Sequence, residues 1–248
     1  MEVNVTGARI LFEIPILGGI PITETLVTTW IVMALIVGVC LYLTHNLKVR
    51  PESRRQIVAE YLVSAANNLV VGNMGERFRY YAPFIASLFA MSTLCSLSSL
   101  TGLFAPTADL NTVLAWAVLS FVLITYYKVK TNGWKEYGKG FLKPIFIMAP
   151  LNVISEIATP MSMAFRHFGN IASGMVISAL VYGALAVLSH TLFAWLPGAL
   201  SQIPFLQVGL PAVLSIYFDL FSGVIQAFIF CMLTMNFIAM AADPGEDA

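Results

Sequence analysis

Residues 144–195 read PIFIMAPLNVISEIATPMSMAFRHFGNIASGMVISALVYGALAVLSHTLFAW, an apolar run broken by only four ionisable groups, Glu156, Arg166, His167 and His190. As one straight α-helix at 1.5 Å per residue, such a run would measure about 75 Å, more than twice the roughly 30 Å of a bilayer's hydrocarbon core. It is therefore either two spans or one long, strongly tilted or kinked helix. Residues 196–204, with two prolines and a glycine, make a turn after it, and a last apolar stretch follows over about residues 205–241.

Three earlier runs, at about 25–43, 81–103 and 110–127, each come near the roughly 20 apolar residues that a spanning helix needs. Between the first two lies PESRRQIVAEYLVSAANNLVVG, residues 51–72. It is too polar to span. Its apolar Ile57, Val58, Tyr61, Leu62 and Ala65 recur at helical spacing, which predicts an amphipathic helix on the membrane surface. The expected fold is thus an all-α integral membrane protein in a single membrane domain, 1–248. It has five transmembrane helices, 25–43, 81–103, 110–127, 146–195 and 205–241, the last two forming a long tilted hairpin.

Composition agrees: 58% of the 248 residues are hydrophobic and 10% charged, against about 25% charged in soluble domains. That excludes an ordinary water-soluble fold. Cys40, Cys95 and Cys231 lie in apolar runs without CxxC or Cys/His spacing, so neither a disulfide framework nor a metal site is expected. No GxxxxGK[ST], GxGxxG or HExxH motif is present, and no nucleotide chemistry, cofactor or nucleic-acid partner is expected. The first residues lack a basic stretch ahead of an apolar core, so no cleaved signal peptide is expected.

Charge distribution orients the chain. Six basic residues (Lys48, Arg50, Arg54, Arg55, Arg77, Arg79) lie between spans one and two, and five (Lys128, Lys130, Lys135, Lys139, Lys143) follow span three. Cytoplasmic loops collect Lys and Arg, so these segments are inside, the FAPTADLN segment is outside, and the N-terminus is outside. Five crossings then leave the C-terminus inside. Splitting residues 146–195 into two spans would give six, and would bring Arg166 towards the outer surface against the same rule.

Arg166 is the one basic residue outside the loops and the N-terminal segment, and an ionised group at membrane depth is a functional hypothesis by default. At 100° per residue, Asn152, Ser155, Thr159, Ser162, Asn170 and Ser173 fall within about 40° of it, and Glu156 about 80° away. On the last helix, Ser215, Asp219, Ser222 and Gln226 recur at steps of four, three and four and share a face. Neutral polar groups alone would read as helix-to-helix glue. With Arg166, Glu156 and Asp219 added, facing polar stripes read as a hydrated ion path. His167 points about 100° from Arg166, towards headgroups, another helix or the path. His190 is a candidate proton relay because imidazole titrates near neutral pH. Asp109 is expected to cap a helix.

At MAFRHFGNIASG the sequence resembles subunit a of F-type ATP synthases, whose hallmark is an arginine followed by a Phe/Tyr-Gly-Asn triplet in a long tilted helix. MGERFRYYAPFIASLFA, GLFAPTADLNTVLAWA, PLNVISEIATP and GVIQAFIFCMLTMNFIAMA are similar to further family segments in the same order, across about residues 20–241. The resemblance implies an ion-translocating stator subunit, with the proton as the expected ion and no catalysis in this chain. Its partners would be the c-subunit ring, the b subunits of the peripheral stalk, the other ATP synthase subunits and lipid, in a bacterial plasma membrane. Arg166 would face the ring and separate two half-channels. Asn170 and Gln226 match the family asparagine and glutamine near that arginine, and Glu156 and Asp219 match polar positions of the outer half-channel. Ser162, Ser173 and Ser222 would line the path. Two departures stand out. His167 replaces the more usual leucine, and Met175 replaces a common glutamate or histidine partner of the acidic group on the last helix, leaving His190 or Glu156 to serve Asp219. The rival readings are a self-contained secondary transporter or channel with Arg166 as its substrate or ion site, which predicts an internal repeat that the sequence lacks, and a membrane anchor with Arg166 paired to Glu156.

Overall fold

The computed structural model describes residues 7–15, 20–49, 53–142, 145–192, 213–214 and 216–243, with only the backbone of Ile14, Ile20 and Asp219. An antiparallel hairpin of β1 (Ile10–Ile14) and β2 (Ile20–Thr23) leads directly into α1 (Glu24–Thr44). Among the described residues, this small sheet is the one element that the all-α expectation lacks. There follow α2 (Arg54–Met74), a 3-10 turn (Glu76–Tyr81) opening α3 (Ala82–Leu97), α4 (Leu110–Gly140), α5 (Ala149–Leu192), and a π-helical segment (Ile216–Ser222) that runs into α6 (Gly223–Ala241). Among the described residues, five helices are long and apolar enough to cross a membrane. The protein is an all-α integral membrane protein.

Span three runs past its expected end at 127, to Gly140, with a kink at Gly133, whose φ of 78° only glycine adopts without strain. Lys128, Lys130, Lys135 and Lys139 are accordingly helical, in keeping with the good helix propensity of lysine and glutamate. Asp109 caps α4 as expected, accepting from the Asn111 backbone N–H at 3.0 Å. The long run after it is one helix: α5 has 44 residues and passes straight through Pro160, giving a length of about 66 Å at 1.5 Å per residue. The two-span alternative therefore fails for 149–192, because no break interrupts the helix there. A single crossing by so long a helix requires a steep tilt. The expected turn at 196–204 lies outside the described residues.

The core gathers Val70 and Met74 of α2, Ile85 of α3, Val113 and Ala117 of α4, Met163 and Ala164 of α5, and Phe230, Cys231, Met235 and Ile238 of α6. Lipid tails are as apolar as leucine, so close van der Waals fit rather than water exclusion holds such helices together, and small residues serve that fit. Ala117, Ala164, Ala227 and Cys231 are fully buried. Ile57, Val58, Tyr61, Leu62 and Ala65, the expected apolar face of α2, are all exposed, while its second half docks into the core through Val70 and Met74. An apolar face turned outward on an otherwise polar helix suits a bilayer surface.

The tightest approach is at Gly223, where an added Cβ would come within 3.0 Å of the Ser96 Cβ. Gly223→Val is expected to push α6 off α3 at a cost of about 1–3 kcal/mol, typical of overpacking. A lowered melting temperature of the detergent-solubilised complex is the readout, and an unchanged one would show that the seam relaxes freely.

Candidate functional site

Two faces of α5 divide its work. Pro160, Met163, Ala164, His167, Ile171 and Gly174 are buried, at the three-to-four-residue spacing that makes one stripe, and seat the helix on the bundle. Ser155, Ser162, Arg166, Asn170 and Ser173 are exposed. Arg166 thus projects from the bundle, and among the described residues no hydrogen bond or ion pair engages it. At membrane depth such a group needs water or an anion from outside the chain.

Contacts on the neighbouring turns hold that orientation. His167 is 0% exposed. Its Nε2 lies 3.3 Å from the Ser92 hydroxyl of α3, and Trp116 of α4 and Phe230 of α6 meet its ring edge-on. Of the three directions open to His167, the structure selects the neighbouring helices. Its Nδ1 is buried without a partner. One turn beyond Arg166, the Asn170 amide donates to Gln226 Oε1 at 2.7 Å, and Gln226 is buried. Ser173 donates back to the Asn170 carbonyl.

From Arg166 an open cleft runs towards the start of α5. Its first part, of about 280 Å³, is lined by Ser155, Thr159, Ser162, Arg166, Leu233 and Phe237, among others. It shares Ser155, Thr159 and Phe237 with a wider part of about 570 Å³ that reaches Lys128, Asn132, Glu136, Asn152 and Glu156. The polar stripe read from the helix wheel is therefore the wall of a real cleft. Pro160 contributes too, because it has no N–H to give the Glu156 carbonyl one turn back.

Glu156 is bound by Lys128, whose Nζ lies 2.7 Å from both carboxylate oxygens; the Tyr137 hydroxyl is 3.4 Å from Oε1. Glu156 precedes Arg166 on α5 and pairs with Lys128 at the lysine-rich end of α4. This pairing takes the place of the Arg166–Glu156 pair that the anchor reading requires.

Of the other expected residues, His190 and Ser222 do not line the cleft. His190 is exposed near the far end of α5, about 36 Å along the axis from Arg166. Ser222 is half-buried at the start of α6. The Asp219 backbone belongs to the π-helical segment, and its side chain lies outside the described residues, as does Ser215. A π segment bonds i to i+5, so the 100° step used to align Asp219 with Gln226 does not hold through it. Sequence reading missed Lys128 and Ser92. The first reads as one loop lysine among several, though it is the first charge after an apolar run; the second carries no signal.

The ATP synthase A chain family model matches residues 26–239. The chain is 32% identical to the "ATP synthase subunit a, sodium ion specific" of Propionigenium modestum, over 98% of this chain and 87% of that protein. It is 31% identical to "ATP synthase subunit a 2" of a Bradyrhizobium species over 97% of each, and 29% identical to "ATP synthase subunit a" of Legionella pneumophila over 90% and 88%.

The burial contrast along α5 yields an expectation. His167→Ala leaves a void between α3, α4 and α6 and is expected to destabilise by about 2 kcal/mol or more. Arg166→Ala, exposed and unpartnered, should stay within about 0.5 kcal/mol of wild type. Thermal unfolding of the complex in detergent tests this; equal losses would mean that Arg166 is structural after all.

Proposed function

The chain belongs to the ATP synthase A chain family, and on that premise we propose that Arg166 is the fixed charge separating two half-channels, which meet a rotating ring of c subunits. Family membership makes the chain an ion-translocating membrane subunit of an F-type ATP synthase. The rest of this reading rests on the site.

A fixed guanidinium favours the ionised form of a carboxyl brought close to it and keeps its own charge at any physiological pH. A ring carboxyl that arrives opposite Arg166 therefore gives up its ion and passes as a carboxylate. It cannot carry the ion straight across, so the ion must leave by one half-channel and enter by the other, with ring rotation between. The cleft from Arg166 past Ser162, Thr159 and Ser155 to Glu156 is the inner half-channel. Asn170, Gln226, Ser173, Ser222 and Asp219 belong to the outer one, with His190 as a relay at its far end. His167 is an anchor of the helix.

The observation that carries this reading is that Arg166 faces outward with no partner among the described residues, while Glu156 is already neutralised by Lys128. A transporter's own substrate site would be expected to close around its charge.

The proposed ion is the proton. Sodium is the alternative, named for one relative, and the same gate serves both because either ion neutralises a carboxylate. The chain catalyses nothing alone; its partners are the c ring, the b subunits and the remaining subunits of a bacterial plasma-membrane complex. An inner C-terminus is supported by the pair of Arg77 with Asp243 at 3.6 Å, which sets the end of α6 beside the first basic segment.

ATP-driven pumping by inverted vesicles holding the assembled complex tests the proposal, with and without Na⁺. Arg166→Ala and Arg166→Lys are expected to reduce pumping to background with assembly intact, and Asp219→Ala to impair it strongly. Pumping that survives Arg166→Ala would refute the gate.

A further inference from the structure

Lys128 has no role in the reading so far, yet it is the closest fixed charge to Glu156. The cleft wall carries Arg166 and Glu156 on α5 with Lys128 and Glu136 on α4, while α6 offers it only apolar Leu233, Phe237, Met240 and Ala241. Glu136 is engaged elsewhere, 3.8 Å from Lys139. Glu156 and Lys128 are 19% and 34% exposed at their side chains, so both face the cleft with part of their surface.

We propose that Lys128 is a positioning residue of the inner half-channel, whose ammonium occupies both oxygens of the Glu156 carboxylate, so that ions pass Glu156 without binding there. The inference rests on the cleft being that half-channel. Chemistry argues for it directly. A lone, partly buried carboxylate in a cation path is a binding site, since it takes up a proton or a sodium ion and must release it before the next can pass. Bound to both oxygens, Lys128 fills that site permanently and returns the local charge to zero. Among the described residues that line the cleft, Arg166 is then the one uncompensated charge. Lys128 lines the wider part of the cleft and not the part that holds Arg166, so the ammonium does not stand opposite an arriving ring carboxyl.

The test uses inverted vesicles with the intact complex, in which the bath reaches the inner half-channel, and reads ions pumped per ATP hydrolysed as bath pH is varied. Lys128→Met should lower that ratio several-fold and add an inflection to its pH profile, because the carboxylate freed of its partner can then take up the passing proton. Glu156→Gln should also lower it, leaving an unpaired ammonium in the path, but without the new inflection. The exchanged pair, Lys128→Glu with Glu156→Lys, should recover much of the loss. A wild-type ratio and pH profile in either single variant overturns the proposal, as does an exchanged pair no better than Lys128→Met. If Lys128→Met fails to assemble, Glu156→Gln and the exchanged pair decide. Arg166→Ala in the same vesicles keeps the two claims apart: pumping without Arg166 sinks the ion-path reading itself, whereas normal pumping by Lys128→Met beside a dead Arg166→Ala sinks the Lys128 proposal alone.

Discussion

A guanidinium on an apolar helix, with no ion-pair partner among the described residues, is the constraint around which this molecule is arranged. Desolvating an unpaired charge costs several kcal/mol even on the lenient scales, and arginine cannot shed its proton to escape. The cost is met by geometry. Arg166 opens onto a cleft that runs along α5, and the nearby acid that would otherwise capture it, Glu156, is held by Lys128.

That arrangement works only if α5 cannot roll. The helix lies against the bundle along a narrow stripe, and much of its surface is exposed. Hydrophobic contact alone tolerates small rotations in lipid, since one apolar residue packs there much like another. His167 and Asn170 supply directional bonds instead, to Ser92 on α3 and Gln226 on α6, about 100° and 40° round the helix from Arg166 and within a turn or so in height. Close backbone approach adds to them. An added Cβ on Gly174 would meet Phe218 at 3.2 Å, so the next turns of α5 fit a surface with no spare room. Position in a membrane bundle is set less by apolar burial than by these few polar and small-residue contacts.

Most of the fold was legible because a bilayer enforces length and polarity so strictly. Five apolar runs and the position of the basic residues were enough for the span count, and α5 proved to be one helix, as its unbroken apolar run allowed. Less legible were features that depend on neighbours in space. The lysines after span three read as loop, since hydropathy cannot tell a polar helical extension from a loop, and the structure keeps them helical to Gly140. Around the site, helical spacing placed Asn152, Ser155, Thr159, Ser162 and Arg166 on one wall, and the cleft follows it. Which residue would face that wall from α4 had no counterpart in a periodicity. The last helix failed differently: its π-helical entry changes the angular step, so a pattern of fours and threes across Asp219 no longer measures a common face.

The two directions away from Arg166 also differ in kind. Towards the lysine-rich end the wall is open, with ionised groups and room for water. Towards the PTADLN segment the polar groups are hydroxyls packed without space around them. Ser92, Ser96 and Thr107 are each at most 1% exposed, and Ser96 donates to the Ser92 carbonyl and to Thr107 Oγ1. Beyond them Asp109 takes a hydrogen bond from Thr25 of α1. A group of that sort joins helices, because each hydroxyl is already satisfied inside the bundle and none is offered to a passing ion. The Ser92–Ser96–Thr107 seam therefore holds α3 to its neighbours, and the outer half-channel proposed along Ser173, Ser222 and Asp219 does not run through it.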